Sequence, residues 1–580
     1  MKKTISLMVV LTLMLAMLGG CGTTVSSSGE SSAAMPSEVA VSETPVEQST
    51  EEPAEAVPAE DSAETVEAAE SAEEEIPSAS IVYPLDAANE SLSIWTSFPG
   101  NISNYISSYS ENIVVQELET RTGVHLEFTE VSQQTERESF NLMCASGDYN
   151  DIIFGFAKAY TGGATKGYED DIIIALNDYV EECAPDYYRE LTANETRMKL
   201  AYDENGLLLG VNGFYLNDEV PVTSGIMIRQ DWLDELALSA PVTYDDWHEV
   251  LTDFANHYDC SSALFLPSGT QSNGGGFVGG YGTAGFQVGA RDAGGHFYQV
   301  DGVVTSALIE DAYRDYLTMI AQWYAEGLIH PDFYLIQSGG GSTEADELIL
   351  SDEVGIFSGK VDYISKYEEA YLNGTMNISA ITEPVLTEDA VFGFRSQPTS
   401  SSSLSISTAC DNVALALMWA NYWYTDEGYV LANYGVEGTT YNLDAAGNPV
   451  YTELLTDNPD GMSFGEAGRV YLFSVPSMIT DAAKERVTYS DKEAAAVDLW
   501  SGSQEALYSL PAVSFTSDES AEYALLVTDI ETYASEEVIK FIIGERSLDT
   551  WDDFVQDIRN MQIERCIEIY QNALDRYQNK

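Results

Sequence analysis

Basic residues are scarce in this chain: 25 Lys and Arg stand against 95 Asp and Glu, a net charge of −70 over 580 residues. Binding to a phosphate backbone needs a basic surface that releases counterions, so this sign excludes nucleic acid as a partner. Cysteine is scarce too. Cys21 apart, Cys144, Cys183, Cys260, Cys410 and Cys566 are scattered and odd in number, which argues against a disulfide framework. His257-Tyr-Asp-Cys260 is the nearest approach to a metal pair, and no second pair completes four ligands, so neither a metal site nor a cofactor is expected. No apolar run reaches transmembrane length: Ile5 to Gly20 as a helix would span about 24 Å, short of the roughly 30 Å hydrocarbon core.

That short run has a second meaning. Lys2 and Lys3 give it a positive start, and it ends in Leu18-Gly19-Gly20-Cys21, an arrangement that resembles a bacterial lipoprotein signal peptide with its lipobox. The resemblance implies cleavage after residue 20 and a diacylglycerol on the Cys21 sulfur, with acyl chains of the palmitate kind. Two chains suffice for stable anchoring at about 0.8 kcal/mol per buried methylene. The expected location is the extracellular face of the cell membrane. Gly22 to Ser80 has no Lys, no Arg and no aromatic residue, and carries fifteen acidic residues among Ser, Ala, Pro and Val. Such a segment cannot bury enough apolar surface to offset its ordering entropy, so 21–80 is expected to be a lipidated, disordered acidic tether. A flexible coil of that length spans about 45 Å, and like charges extend it.

Residues 81–580 hold nearly all the aromatics and can bury large cores, so more than one lobe is expected. Ser91 to Trp95 alternates as a strand, Asn112 to Thr122 has helical spacing ending at Gly123, and Val124 to Phe128 alternates again. Arg137 to Ala145 reads as a helix stopped at Ser146-Gly147-Asp148, with Asp151 to Phe154 as a buried strand. Strands are also expected over 206–211 and 225–228, and helices over 243–257, capped by Thr243, and 310–326. Strands alternating with helices define an α/β fold with a mainly parallel sheet. Apolar Asn412 to Tyr424 reads as a core helix, and helical spacing returns from Trp551 to Ile558 and from Cys566 to Tyr577.

Catalytic motifs fail on context. Gly280-Tyr-Gly-Thr-Ala-Gly285 matches the dinucleotide fingerprint in letters, yet it lies in a Gly-rich stretch with no strand before it and no helix after it. His248-Glu249 begins like a zinc-peptidase helix, but Thr252 stands where the second His belongs. There is no phosphate-binding Gly-rich loop ending in Lys and no nucleophile elbow. Among so many carboxylates no glycosidase pair stands out. The acidic turns 444–453 and 457–460 lack a full calcium-loop pattern.

Four segments carry a family likeness: Ser146-Gly-Asp-Tyr-Asn-Asp-Ile-Ile153, Ile228-Arg-Gln-Asp-Trp-Leu-Asp-Glu-Leu236, Trp419 to Gly428 running into Asn433-Tyr-Gly-Val-Glu-Gly438, and Phe541 to Gly544 through Trp551-Asp-Asp-Phe554. Tyr570 to Tyr577 also fits. By these the chain resembles extracellular solute-binding protein family 1, in its large branch of ABC-transporter oligosaccharide lipoproteins. The resemblance implies a two-lobed periplasmic-binding-protein-like fold with the ligand in a cleft between lobes. It places 81–222 and 345–395 in lobe 1 and 223–344 and 396–580 in lobe 2. It implies no enzyme but a monomeric receptor that captures a small-molecule solute, an oligosaccharide, and hands it to ABC permease subunits. An anchored glycan-active enzyme, a peptide-binding protein or sensor, and a wall-interaction protein stay open as alternatives on the same fold.

Sugars offer apolar C–H faces and rings of hydroxyls, so a site needs flat aromatics beside polar side chains. Loops at strand ends supply the expected ligand contacts. Trp95, Phe98 and Asn101 follow the first strand, Phe156 and Tyr160 the third, and Arg229 closes the strand entering lobe 2. Tyr281 and Phe286 lie in the glycine-rich loop, and Arg395 near the return crossover.

Overall fold

The computed structural model describes residues 81–86 and 90–580 apart from 134, 216–221, 259, 261, 266–275, 285–294, 337–342, 372–374, 388–389, 391–402, 461, 463, 480–489 and 503–507. The described residues belong to one compact unit, within Ile76–Lys580. The expected signal peptide, the Cys21 anchor and the tether fall outside the described residues, as do Phe286 and Arg395. No described helix is long and apolar enough to cross a membrane.

This unit is built on two main sheets. In the first, Ser91–Phe98 and His125–Ser132 run parallel, from Ser91 opposite His125 to Phe98 opposite Ser132. Parallel neighbours need a crossover, and the helix Ile113–Thr122 provides it. Asn112 caps that helix, its Oδ1 accepting from the N–H groups of Val114 and Val115 at 2.9 and 3.3 Å, and Gly123 ends it at φ +73°. Through Nδ2 the same Asn112 donates to the carbonyls of Val470 and Leu472, fastening a segment 360 residues away to the crossover. The full order is His125–Ser132, Ser91–Phe98, Ile152–Phe154, Ser403–Ile406, Val211–Asn212, with Ser403–Ile406 antiparallel to both neighbours. Leu92, Ile94, Leu118, Ile152, Leu404, Trp419 and Trp423 pack into its core.

The second sheet has the order Ile378–Ile381, Ser224–Arg229, Val354–Lys360, Ser262–Phe265. Both of its faces are covered. Ile226, Ile228 and Ile356 join Trp247, Ile320, Ile530 and Phe554 on one side, while Met227 and Phe357 join Tyr367 and Trp500 on the other, as the period of two along a strand requires. The helix Tyr244–His257 opens with a capping box between Thr243 and Asp246, and Asp311–Ala325 lies beside it in the same core.

The described elements therefore change lobe three times, between Tyr215 and Ser224, between Ile381 and Ser403, and between Ile479 and the helix Asp491–Gly502, which packs on the second sheet. This corrects the expected lobe boundaries. Residues 354–360 and 378–381, expected in lobe 1, are strands of the second sheet, and 403–406, expected in lobe 2, is a central strand of the first. The helices Val413–Asn421 and Phe464–Tyr471 follow it there. A helix-rich sequence pattern does not say which sheet a strand joins, because the partners of these strands lie about 90 to 250 residues away. Just before two of the crossings, Phe214–Tyr215 and Met478–Ile479 pair in parallel, binding the two exits from the first lobe to each other.

The strand expected over 206–211 shrinks to Val211–Asn212. The Asp203 carboxylate takes the N–H groups of Asn205 and Leu207, both at 2.8 Å, so the backbone there serves a side chain instead of a ladder. The glycine-rich stretch forms a 3-10 turn, Gly276–Tyr281. A Cβ on Gly280 would stand 2.1 Å from the Pro384 carbonyl oxygen and 2.8 Å from the Tyr244 hydroxyl, so this glycine serves close packing. Asp444 closes the turn of the hairpin Tyr441–Leu443/Pro449–Tyr451 by accepting from Ala446 and Asn448.

Candidate functional site: a cavity between the lobes

A cavity of about 300 Å³ opens where the first sheet faces the second lobe. Open α/β sheets receive ligands beyond the carboxyl ends of their strands, and one wall comes from there. Gly155, just past the strand Ile152–Phe154, donates to the Ser403 carbonyl at 2.9 Å, and the following segment brings Ala157, Gly162 and Thr165 to the cavity. Tyr202, Asp203, Asn212, Ser403 and Ser405 complete the first-lobe side. The opposite wall is Val513, Ser514, Phe515 and Ser520, which lead into the long helix Ser517–Ile542 of the second-lobe core.

Each wall is held from behind. Asp203, 8 % exposed, accepts from Thr165 Oγ1 at 3.1 Å in addition to its two backbone partners. Ser405 Oγ donates to the Leu209 carbonyl at 2.9 Å, and the Asn212 carbonyl accepts from the Tyr424 hydroxyl at 2.5 Å. Phe515 rests against Tyr523 and Tyr570, with ring centroids 5.1 and 4.9 Å away. Burial pushes the Tyr202 hydroxyl above its usual pKa. The result is a pocket of mixed polar and apolar lining with one aromatic on each side, Tyr202 from the first lobe and Phe515 from the second. Among the described lining residues Asp203 is the one charged side chain.

The residues singled out from sequence sit elsewhere. Trp95, Phe156 and Tyr160 belong to one cluster behind the first wall, around Phe140. Trp95 is 2 % exposed and meets Phe140 edge-on at 5.5 Å. Phe156 is fully buried and stacks on Tyr160 at 5.1 Å. The Tyr160 hydroxyl donates to Asp170, which Lys166 also pairs; burial and that carboxylate raise the Tyr160 pKa. Phe98 packs on Tyr109 at 5.1 Å, and the Asn101 side chain lies outside the described residues. In the second lobe Tyr281 leans on Tyr244 and Tyr316. Arg229 is 2 % exposed, bound to Asp231 and Asp352 and set against the Trp232 and Tyr371 rings. None of these described residues lines the 300 Å³ cavity.

The lining that sequence reading missed has one legible signal. Thr516 and Glu519 form a capping box, and Thr-x-x-Glu ahead of Val527, Ile530, Ala534, Val538 and Phe541 marks the start of a helix. Phe515 sits immediately before that start. Tyr202 and Asp203 carried no such mark.

Two α/β lobes, three chain crossings and a cavity walled from both sides define the two-lobed solute-binding fold. No protein-family model matches the chain. It is 24 % identical to lipoprotein LipO of Bacillus subtilis (strain 168) over 461 residues, covering 76 % of this chain and 84 % of that one. It is 22 % identical to the fructooligosaccharide ABC transporter substrate-binding protein FusA of Streptococcus pneumoniae serotype 4 over 494 residues, 81 % of this chain and 88 % of FusA. The structure superposes on FusA in complex with kestose with a TM-score of 0.66 at 19 % identity, covering 85 % of this chain and all of that one. It superposes equally well, at 0.66 and 20 % identity, on the alginate-binding protein AlgQ2 without calcium ion, covering 84 % and 98 %.

Proposed function

We propose that this protein is the substrate-binding component of an ABC importer, lipid-anchored through Cys21 on the outer face of the membrane, and that it captures an oligosaccharide in the interlobe cavity. The observation that carries this is the cavity's construction from both lobes. A solute lodged between Tyr202 and Phe515 touches two bodies at once, so it binds the lobe-closed form better than an open one and shifts the population toward closure. Tyr202 and Phe515 supply the apolar faces for sugar C–H groups, and Asn212, Ser403, Ser405 and Ser514 supply donors and acceptors for hydroxyls. Similarity to FusA, a fructooligosaccharide-binding protein, and to the alginate-binding protein AlgQ2 supports the solute class, and similarity to lipoprotein LipO supports the anchor. The aromatics behind the wall, Trp95, Phe156 and Tyr160, then act by holding the 157–165 segment in place.

A thermal-shift titration of the processed chain tests the reading, with neutral and acidic oligosaccharides, and peptides as controls. An intact oligosaccharide that raises Tm in proportion to the logarithm of its concentration supports it. A shift with peptides alone, or breakdown of the sugar during the assay, overturns it in favour of a peptide receptor or an enzyme.

A further inference from the structure

One helix of the second lobe reaches across to the first beside the cavity. Ile563–Asn579 packs in the second-lobe core through Ile563 and Cys566, yet its last turn is directed at the segment 199–204. Lys580 Nζ donates to the Tyr202 carbonyl at 2.9 Å. Lys199 Nζ stands 5.5 Å over the Tyr577 ring, a cation–π distance. Arg576 bonds to the Ser514 carbonyl and the Glu519 carboxylate, and so supports the second-lobe wall of the cavity while facing the first lobe.

Two polar atoms stand out at this contact. Glu204 Oε2 and Arg576 Nε are both buried, and neither has a hydrogen-bond partner among the described residues. They belong to opposite lobes and opposite charges. Buried polar atoms without partners are rare, and each calls for a reason. The Glu204 carboxyl is held above its usual range, mainly by burial and with a push from Asp203, while Arg576 and Lys580 pull it the other way. The two lobes thus hold complementary groups within each other's field, with no direct bond between them.

We propose that Arg576, Tyr577 and Lys580 form a clasp that grips residues 199–204 and sets the balance between closed and open lobes, with Glu204 and Arg576 as the pair that tightens on full closure. These are positioning residues. They lie outside the cavity, but their partners Tyr202 and Ser514 line it, so a grip on the clasp fixes the distance between the two walls. The open–closed difference in such proteins is a few kcal/mol, so a handful of polar contacts is enough to move it.

The consequence for solute capture rests on the cavity being the solute site, but the test contains no solute, so the two readings fail separately. A dye pair is placed through unnatural amino acids at the exposed positions Glu138 in the first lobe and Asp311 in the second, and the distance distribution of the ligand-free full chain is read by single-molecule energy transfer. With Tyr577→Ala and Lys580→Ala together, the population at the native separation is expected to fall at least five-fold in favour of a longer distance, with Tm within a few degrees of the parent. An unchanged distribution in the folded double variant overturns the clasp. If the double variant does not fold, Lys580→Ala alone, which alters an exposed side chain, is read the same way. Glu204→Gln is expected to lengthen the distance less than the double variant does; no change with either disproves the proposal.

Discussion

The Arg229 guanidinium and the Asp352 carboxylate meet at 2.6 Å, joining the end of the strand Ser224–Arg229 to the turn that precedes Val354–Lys360. Asp352 holds a left-handed φ of +62° to do so, and Asp231 takes the other side of the same guanidinium. A buried cation with two carboxylates is a structural clamp, and losing the cation leaves two acids facing each other. Arg229→Ala is therefore expected to lower stability by about 3 kcal/mol, read as a drop in the midpoint of urea unfolding. Oligosaccharide affinity of the folded fraction should stay within two-fold. A large affinity loss at unchanged stability would instead return Arg229 to the solute.

Gly225 lies on the same strand, and a Cβ there would stand 2.3 to 2.5 Å from the Trp500 indole. Trp500 is fully buried and donates its Nε1 to the Ile381 carbonyl at 3.0 Å, so the ring cannot retreat without breaking that bond. Gly225→Ala should cost about 1–3 kcal/mol by overpacking. Circular dichroism melts of the variant should show a lower Tm, whereas Gly465→Ala, with nothing within 4 Å of its Cβ, should leave Tm close to the parent.

Local elements were legible in the sequence because local signals specify them: the Asn112 cap and Gly123 stop bound the first helix, and the Thr243 capping box opens another. Lobe membership was not, since the strand Ser403–Ile406 pairs with Ile152–Phe154 across about 250 residues and nothing in its own four residues names that partner. At the site the difficulty was of another kind. Aromatics after strands were sensible choices for a sugar platform, but Trp95 and Phe156 have Phe140 to pack against, and burial wins for large apolar rings when a core is within reach. The cavity residues Tyr202, Asp203 and Phe515 lie in short connecting segments whose position depends on two lobes meeting, which no local pattern encodes.

His296 is fully buried, and burial pulls its pKa down to about 3. Its Nδ1 is 2.9 Å from Ser306 Oγ, and the Glu531 carboxylate stands 3.9 Å from Nε2. The unfolded chain takes up a proton near pH 6.5 and the folded chain does not. Stability is thus full above pH 6.5 and declines as pH falls toward 3, by about 2 kcal/mol at pH 5. His296→Gln should flatten the dependence of the urea midpoint between pH 7 and 5. A slope identical to the parent's would assign the loss to other groups.

Trp95 and Tyr202 separate the two ways an aromatic can matter here. Trp95 is 2 % exposed, packed on Phe140 in the cluster behind the first wall, so Trp95→Ala opens a cavity in a core and should cost about 3–5 kcal/mol of stability. Tyr202 is half-buried at the interlobe cavity and also packs against the first-lobe core, so Tyr202→Ala should lower the unfolding midpoint less than Trp95→Ala does and weaken a bound oligosaccharide by about 1–3 kcal/mol, the scale of a lost stacking face. Calorimetric titration of both variants with the sugar that stabilises the parent distinguishes these effects. If Tyr202→Ala binds like the parent while the folded fraction of Trp95→Ala loses affinity at constant stability, the ligand platform lies on the first strand as the sequence pattern suggested, and the Tyr202 cavity is only a gap between lobes.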